Sequence, residues 1–301
     1  MSDLKLFKLS SSSVTELEAS QADLERSLQK LFESNLDNLL GVRFLESEFS
    51  TTHGGRMDTV GIDENNCPVI IEYKRGSHEN VINQGLFYLD WLMDHQKDFE
   101  WLVLDKFGKD AAESVEWSAP RLICIANDFN KYDEHAVNQM DRNIALIRYK
   151  RFEGDLLLLE QLTSTVARSS SVSKAVSNAK RGQNKTVADY LAQADSKQSE
   201  RYETLRDYML SLGDDVELRT LKKYFAFRRI KNFACVEVHT RTKNLLVYVK
   251  VNPDEVLIEK GFTRDVRNIG HFGTGDLEIT IGSDEDFDKA KPLLIKSYEA
   301  S

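Results

Sequence analysis

Cysteine is scarce in this chain: Cys67, Cys124 and Cys235 are the only three, far apart and in no CxxC spacing. That argues against a disulfide framework and a cysteine-based zinc site, and it suits reduced thiols in a cytoplasm, packed as small buried hydrophobes. Long apolar runs are missing too. None approaches the roughly 20 residues that a bilayer span requires, so no membrane segment is expected. The opening MSDLKLFKLSSSS has no basic segment followed by an apolar core, so no secretory signal is expected, and the expected location is the cytoplasm. There is no P-loop and no GxGxxG. The six histidines show no HxxxH or HxH spacing, which argues against a histidine zinc site. Net positive charge is also lacking. A formal charge of -9 argues against a protein that simply coats nucleic acid. It leaves room for an enzyme that gathers carboxylates around a cation and keeps local basic patches for phosphates.

What is present reads as a soluble globular protein, 41% hydrophobic and 30% charged. At 301 residues, two domains are expected, each burying its own core. The stretch 161–185, QLTSTVARSSSVSKAVSNAKRGQNK, is rich in Ser, Asn and basic residues and contains no acid, which is how a linker reads. The expected organisation is therefore a first domain over 1–160, a basic Ser-rich linker over 161–185 and a second domain over 186–301.

The first domain alternates helix and strand patterns. Leu24, Leu28, Leu31 and Phe32 recur at helical spacing within a helix expected over 22–35. Strands are expected over 42–49, 57–63 and 69–74, the last two joined through the turn-forming DENN. A helix over 80–95 follows, then strands near 121–126, 145–149 and 155–159 with a helix over 134–140 between the first two. Such a succession is an α/β pattern, a sheet flanked by helices.

One segment, GGRMDTVGIDENNCPVIIEYKRG (54–76), carries chemistry. Side chains alternate along a strand, so Glu72 and Lys74 share a face with Ile70, opposite to Val69, Ile71 and Tyr73. Asp58 starts the neighbouring antiparallel strand, and a hairpin of this length returns it opposite the Glu72 end. Two carboxylates and a lysine then converge. Buried carboxylates are costly unless paired or bound to a cation, and hard oxygen donors suit Mg2+ or Mn2+. Such a cation polarises a phosphodiester oxygen and lowers the pKa of a water, while an ammonium steadies developing negative charge. A plain salt bridge at a strand end is the alternative reading of the same residues.

GGRMD, VIIEYKRG and the following QGLFY (84–88) resemble the PD-(D/E)XK nuclease superfamily, most closely the RecB-like domain of NucS-type endonucleases, over about residues 20–150. The resemblance implies a restriction-endonuclease-like fold and a Mg2+- or Mn2+-dependent endonuclease. It implies Asp58 and Glu72 as metal ligands, Lys74 as the catalytic lysine and Gln84 as the motif glutamine. Glu48, with Glu46 as an alternative, matches an acid ahead of the motif Asp. Glu25 matches an acid that the family places near the metal on the first helix. Met57 stands where the superfamily's name has proline. Arg56 and Arg75 flank the site and are candidate phosphate contacts, and Tyr88, one helical turn beyond Gln84, is a candidate nucleic-acid contact.

The second domain reads as α+β. SERYETLRDYMLSLG is helical, ACVEVH and LLVYVKV form a hairpin around TRTKN, LEITI adds a strand, and DFDKAKPLLIKSYE closes as a helix. Over roughly its last ninety residues it resembles uncharacterised domains of the "predicted transport protein" type, a likeness that implies no chemistry. The acid-free stretch RTLKKYFAFRRIK (219–231) interleaves basic and aromatic residues. Phe225 and Phe227 are expected in a core, with Arg228 and Arg229 on a rim that contacts phosphates. The function expected is metal-dependent phosphodiester hydrolysis, in DNA by resemblance, with an accessory recognition domain and a homodimer as a further expectation. A non-cleaving nucleic-acid-binding protein and a protein- or ligand-interaction module are the rival readings.

Overall fold

The computed structural model describes residues 4–19, 25–52, 54–74, 81–165 and 186–301. The chain divides into two compact units, Met1–Arg168 and Ser169–Ser301. Among the described residues no helix is long and apolar enough to cross a membrane. All three cysteines are buried and unbridged.

In the first unit a hairpin of β1 (Leu6–Leu9) and β2 (Val14–Leu17) comes first, followed by α1 (Glu25–Glu33) and α2 (Leu36–Leu40). Then come β3 (Val42–Ser50), β4 (Arg56–Asp63), β5 (Pro68–Lys74), α3 (Val81–Asp94), α4 (Gln96–Phe107) and α5 (Lys109–Glu113). The unit closes with β6 (Arg121–Ala126), α6 (Lys131–Asn138), β7 (Asn143–Phe152) and β8 (Leu156–Ser164). Strands β3 to β8 form a six-stranded mixed sheet in sequence order. Its central neighbours β5, β6 and β7 are parallel and the outer pairings antiparallel. Parallel neighbours need a crossover, and α3, α4 and α5 lie in the connection from β5 to β6.

Alternation along β5 divides its side chains between the two faces of the sheet. Ile70 joins a core with Leu89 and Leu92 of α3, and Tyr73 meets Phe32 of α1 edge to face at 5.7 Å between ring centroids. Helix α3 approaches β6 closely at Gly85, where a Cβ would lie 2.4 Å from Leu122. The helix therefore needs glycine at that contact.

Sequence patterning misplaces several boundaries. The first helix ends at Glu33 and a separate turn of helix, α2, follows; residues 20–24 lie outside the described set. Helix α4 and the β1–β2 hairpin have no counterpart in the expected elements, since charges interrupt the apolar period of α4 and the hairpin is mostly exposed. The expected linker start at residue 161 is corrected: Gln161 pairs with Ile147 and Thr163 with Leu146, so β8 continues to Ser164. Polar residues fit an edge strand, where one face and one edge meet water, and the same composition mimics a linker. Residues 166–185, the remainder of that stretch, lie outside the described set.

The second unit consists of α7 (Val187–Ala192), α8 (Ser196–Leu210), β9 (Glu217–Thr220), β10 (Phe225–Arg228), β11 (Asn232–His239), β12 (Asn244–Val249), β13 (Thr263–Asp265), β14 (Leu277–Ile281) and α9 (Asp284–Glu299). Its sheet is antiparallel, ordered β13–β14–β12–β11–β10–β9. Alternate residues Val236, Val247 and Ile279 join Leu205 of α8 and Leu294 of α9 in one core.

Candidate active site

The hairpin of β4 and β5 is regular from Ile62–Pro68 up to Thr59–Ile71, where the Cα pairing ends. Beyond that pair, side chains replace the ladder. The Asp58 carboxylate accepts the backbone N–H of Tyr73 at 3.0 Å through Oδ2, and Glu72 Oε1 accepts the backbone N–H of Asp58 at 3.2 Å. Each strand thus caps the other with a carboxylate, which brings the two acids side by side.

Their surroundings make the pair costly. Glu72 is fully buried, and its second oxygen, Oε2, has no hydrogen-bond partner among the described residues. Burial first and the Asp58 charge second push the Glu72 carboxyl up to about 9. Burial also raises the half-buried Asp58, against the opposing pull of the Tyr73 amide and Lys74. An unpaired buried carboxylate oxygen beside a second carboxylate is the donor set that a hard divalent cation satisfies, so the residues fit Mg2+ or Mn2+.

The other predicted residues are distributed around this pair. Lys74 ends β5, mostly buried, with Nζ 3.3 Å from Glu25 Oε1 at the start of α1. Glu48 lies in β3 in the left-handed region (φ 59°), and its Oε2 stands 2.5 Å from the Arg56 guanidinium. A non-glycine residue held there stores strain that the surroundings must offset. The structure does not gather Glu25, Glu48, Asp58 and Glu72 as one ligand set: among the described residues no three acidic, His or Cys groups form a ready-made metal cluster. The physical reason is visible, because Glu25 and Glu48 each turn to a cation while Asp58 and Glu72 remain together. A cleft of about 350 Å³ opens over Asp58, lined also by Glu25, Arg26, Gln29, Glu48 and Arg56.

One expectation from the α3 helix needs correction. Tyr88 is buried, 5% exposed, and its phenol oxygen accepts the backbone N–H of Arg56 at 3.0 Å and the Gln84 amide at 3.2 Å. It is therefore a latch on the Gly54–Gly55–Arg56 turn rather than a surface contact for nucleic acid. Gly55 (φ 127°) is required under it, since a Cβ would lie 3.0 Å from the Tyr88 ring. Gln84 directs its amide to that phenol and supports the turn that presents Arg56. Arg75 lies outside the described residues.

In the second unit, Phe225 and Phe227 are core residues. Arg228 is corrected from a rim contact to a buried one: it is 2% exposed and donates to the carbonyls of Arg229 and Ile230. Alternation puts Arg228 on the face of β10 opposite Phe227, and the backbone carbonyls offer acceptors there. Arg229 is half-buried, paired with Asp215 at 2.6 Å and lying over the Tyr298 ring.

Sequence reasoning missed Gln29. This α1 residue is buried, and its amide nitrogen donates to the Asp58 carbonyl at 2.7 Å, to Glu33 at 3.0 Å and to Ser47 at 3.1 Å. Thr59 also donates to Glu33, at 2.7 Å. The available signal was a glutamine set inside the apolar stripe between Leu28 and Phe32.

The fold and this cleft define a two-unit α/β protein with paired carboxylates and a lysine at the end of a central hairpin. It belongs to the same family as an uncharacterized protein of Haemophilus influenzae, to which it is 32% identical over 293 residues, 93% of this chain and 94% of that protein. Residues 187–301 match a domain of unknown function (DUF5655). The chain also bears a weak likeness to the crystal structure of a repair endonuclease from Pyrococcus abyssi, with TM-score 0.29 and 17% identity over 42% of this chain. It spans 47%, about half, of that chain's length.

Proposed function

We propose that this protein is a Mg2+- or Mn2+-dependent nuclease that hydrolyses phosphodiester bonds, its first unit carrying the reaction and its C-terminal unit serving as an accessory recognition domain. The observation that carries the reading is the Asp58–Glu72 pair, with its orphaned buried oxygen, next to the Lys74 ammonium. The sequence resemblance to PD-(D/E)XK nucleases supports the same assignment and points to DNA as the substrate.

Asp58 and Glu72 would hold the cation, which supplies charge neutralisation and a polarised phosphodiester oxygen when bound. The chain does the rest. The Tyr73 amide fixes the Asp58 carboxylate, and the Gln29 amide fixes the Asp58 main chain, so the floor of the cleft is set before substrate arrives. Lys74 Nζ donates hydrogen bonds to the attacking water or to the phosphoryl oxygens, where negative charge grows as water adds to phosphorus and the P–O ester bond breaks. Glu25 holds that ammonium in place.

Cleavage of labelled DNA in Mg2+ or Mn2+, comparing the wild type with Asp58→Ala and Lys74→Ala, tests the assignment. Loss of cutting in both variants, with folding intact by circular dichroism, is expected. Metal-dependent cutting that survives both substitutions would overturn it. Salt-sensitive binding without any cutting would instead favour a non-cleaving nucleic-acid-binding protein.

A further inference from the structure

We propose that Arg26, on the first turn of α1, is the phosphate-gripping side chain of the cleft over Asp58. This rests on the reading of that cleft as a nucleic-acid site and names the residue that binds the substrate backbone.

The argument starts from which cations are already engaged. Lys74 is paired with Glu25 at 3.3 Å and Arg56 with Glu48 at 2.5 Å. Arg26 lines the same cleft, is exposed, and among the described residues has no ion pair. Its place is set by the helix. Leu28 and Phe32 bury one stripe of α1, while Gln29 fastens that helix to Asp58 and Ser47. Three residues before Gln29, Arg26 is its neighbour on the helix surface, and both line the cleft.

Charge balance gives the ligand class. With both metal-binding acids ionised, the four carboxylates of Glu25, Glu48, Asp58 and Glu72 exceed the three cations Arg26, Arg56 and Lys74 by one. A divalent cation on Asp58 and Glu72 reverses this to a single excess positive charge, and Arg26 is the cation of the three that pairs with no acid among the described residues. A phosphodiester carries one negative charge. The guanidinium offers a planar fork of donors that matches two phosphate oxygens, and an unpaired one need break no existing ion pair to use it.

The test measures binding by fluorescence anisotropy of a labelled DNA oligonucleotide with Ca2+ present, across a salt series, for the wild type, Arg26→Ala, Arg26→Lys and Lys30→Ala. Lys30 is an exposed cation of the same helix that does not line the cleft, so it controls for general charge. Removing one phosphate contact lowers the slope of log K against log salt by about one and weakens binding by roughly 3- to 30-fold. Arg26→Ala is expected to show this change, Arg26→Lys to recover most of it, and Lys30→Ala to leave the slope unchanged. In cleavage kinetics Arg26→Ala should raise KM and leave kcat nearly unchanged. An unaltered slope in Arg26→Ala, or an equal loss in Lys30→Ala, overturns the assignment of Arg26 while the nuclease reading stands. A slope change without any cutting by the wild type supports Arg26 and sinks the nuclease reading. Wild-type protein that binds no DNA overturns both.

Discussion

Glu72 Oε1 accepts the backbone N–H of Asp58 at 3.2 Å, while the other oxygen of the same carboxylate is buried with no hydrogen-bond partner among the described residues. One half of the group is structural and the other half is free for a ligand. This division gives the pair distinct pH, metal and mutational behaviour.

Glu72 is expected to make the metal-free protein less stable as pH rises. Its carboxyl titrates at 4.5 when unconstrained and at about 9 in the folded chain. Between those values the folded chain keeps a proton that the unfolded chain has released, so stability falls as pH climbs. The contribution is most favourable below about 4.5, and the decline ends near 9. Glu72→Gln removes this titration. In EDTA its stability relative to wild type should rise by about 2–4 kcal/mol between pH 5 and pH 8. Urea unfolding of both proteins at the two pH values measures it, and parallel profiles would contradict the buried position of Glu72.

Binding of Mn2+, followed by calorimetry, separates the acids by role. Asp58→Asn and Glu72→Gln should each abolish measurable binding, because each removes one of the two adjacent carboxylates. Glu48→Gln and Glu25→Gln should weaken binding by only about 10- to 100-fold, as expected of groups one step removed from the ion. Equal loss from all four substitutions would mean that Glu25 and Glu48 leave their cations and bind the metal directly.

Tyr88→Phe is expected to lower stability by about 1–2 kcal/mol, because the Arg56 backbone N–H and the Gln84 amide lose a shared acceptor. Gly55→Ala should cost about 1–3 kcal/mol for backbone strain, with added crowding against the Tyr88 ring. Thermal unfolding measures both. Values near zero would show that the turn is not held by the phenol.

Arg228→Ala should destabilise the C-terminal unit by about 1–3 kcal/mol, since two part-buried backbone carbonyls lose the donor supplied by a buried side chain. It should leave the salt slope of DNA binding unchanged. A slope change equal to that of Arg26→Ala, with stability intact, would return Arg228 to the binding surface.

His239 gives the opposite pH sign from Glu72. A hydrogen bond to Glu237 at 2.7 Å raises its pKa above 6.5. The charged pair therefore adds stability below about 6.5, and that contribution is lost as pH rises through the folded pKa. Proton NMR of the imidazole in Glu237→Gln should show the pKa shifted downward, and an unmoved value would contradict the contact.

The strands of the first unit were legible because apolar alternation and short Gly/Asn turns survive in the sequence: 121–126 is recovered to the residue, and 57–63 and 69–74 each to within one. The convergence of Asp58 with Glu72 and Lys74 followed from a two-residue side-chain period and one hairpin. Gln84 and Tyr88 were visible as polar groups on α3, but not their mutual hydrogen bond, because a helical spacing says which residues are neighbours and not which atoms they satisfy. Arg228 read as a surface cation since strand alternation names two faces without saying that backbone carbonyls wait behind one of them.

The sequence alone determined the order of strands β3 to β8 and the carboxylate-and-lysine pattern, because these depend on local periodicity and on residue type. Only tertiary structure decided that Glu25 pairs with Lys74, that Glu48 pairs with Arg56, that Gln29 fastens α1 behind Asp58 and that Arg26 forms no ion pair among the described residues. Partners such as Glu25 and Lys74 lie 49 residues apart along the chain. Their meeting is fixed by how a helix docks on a sheet, which no stretch of sequence contains.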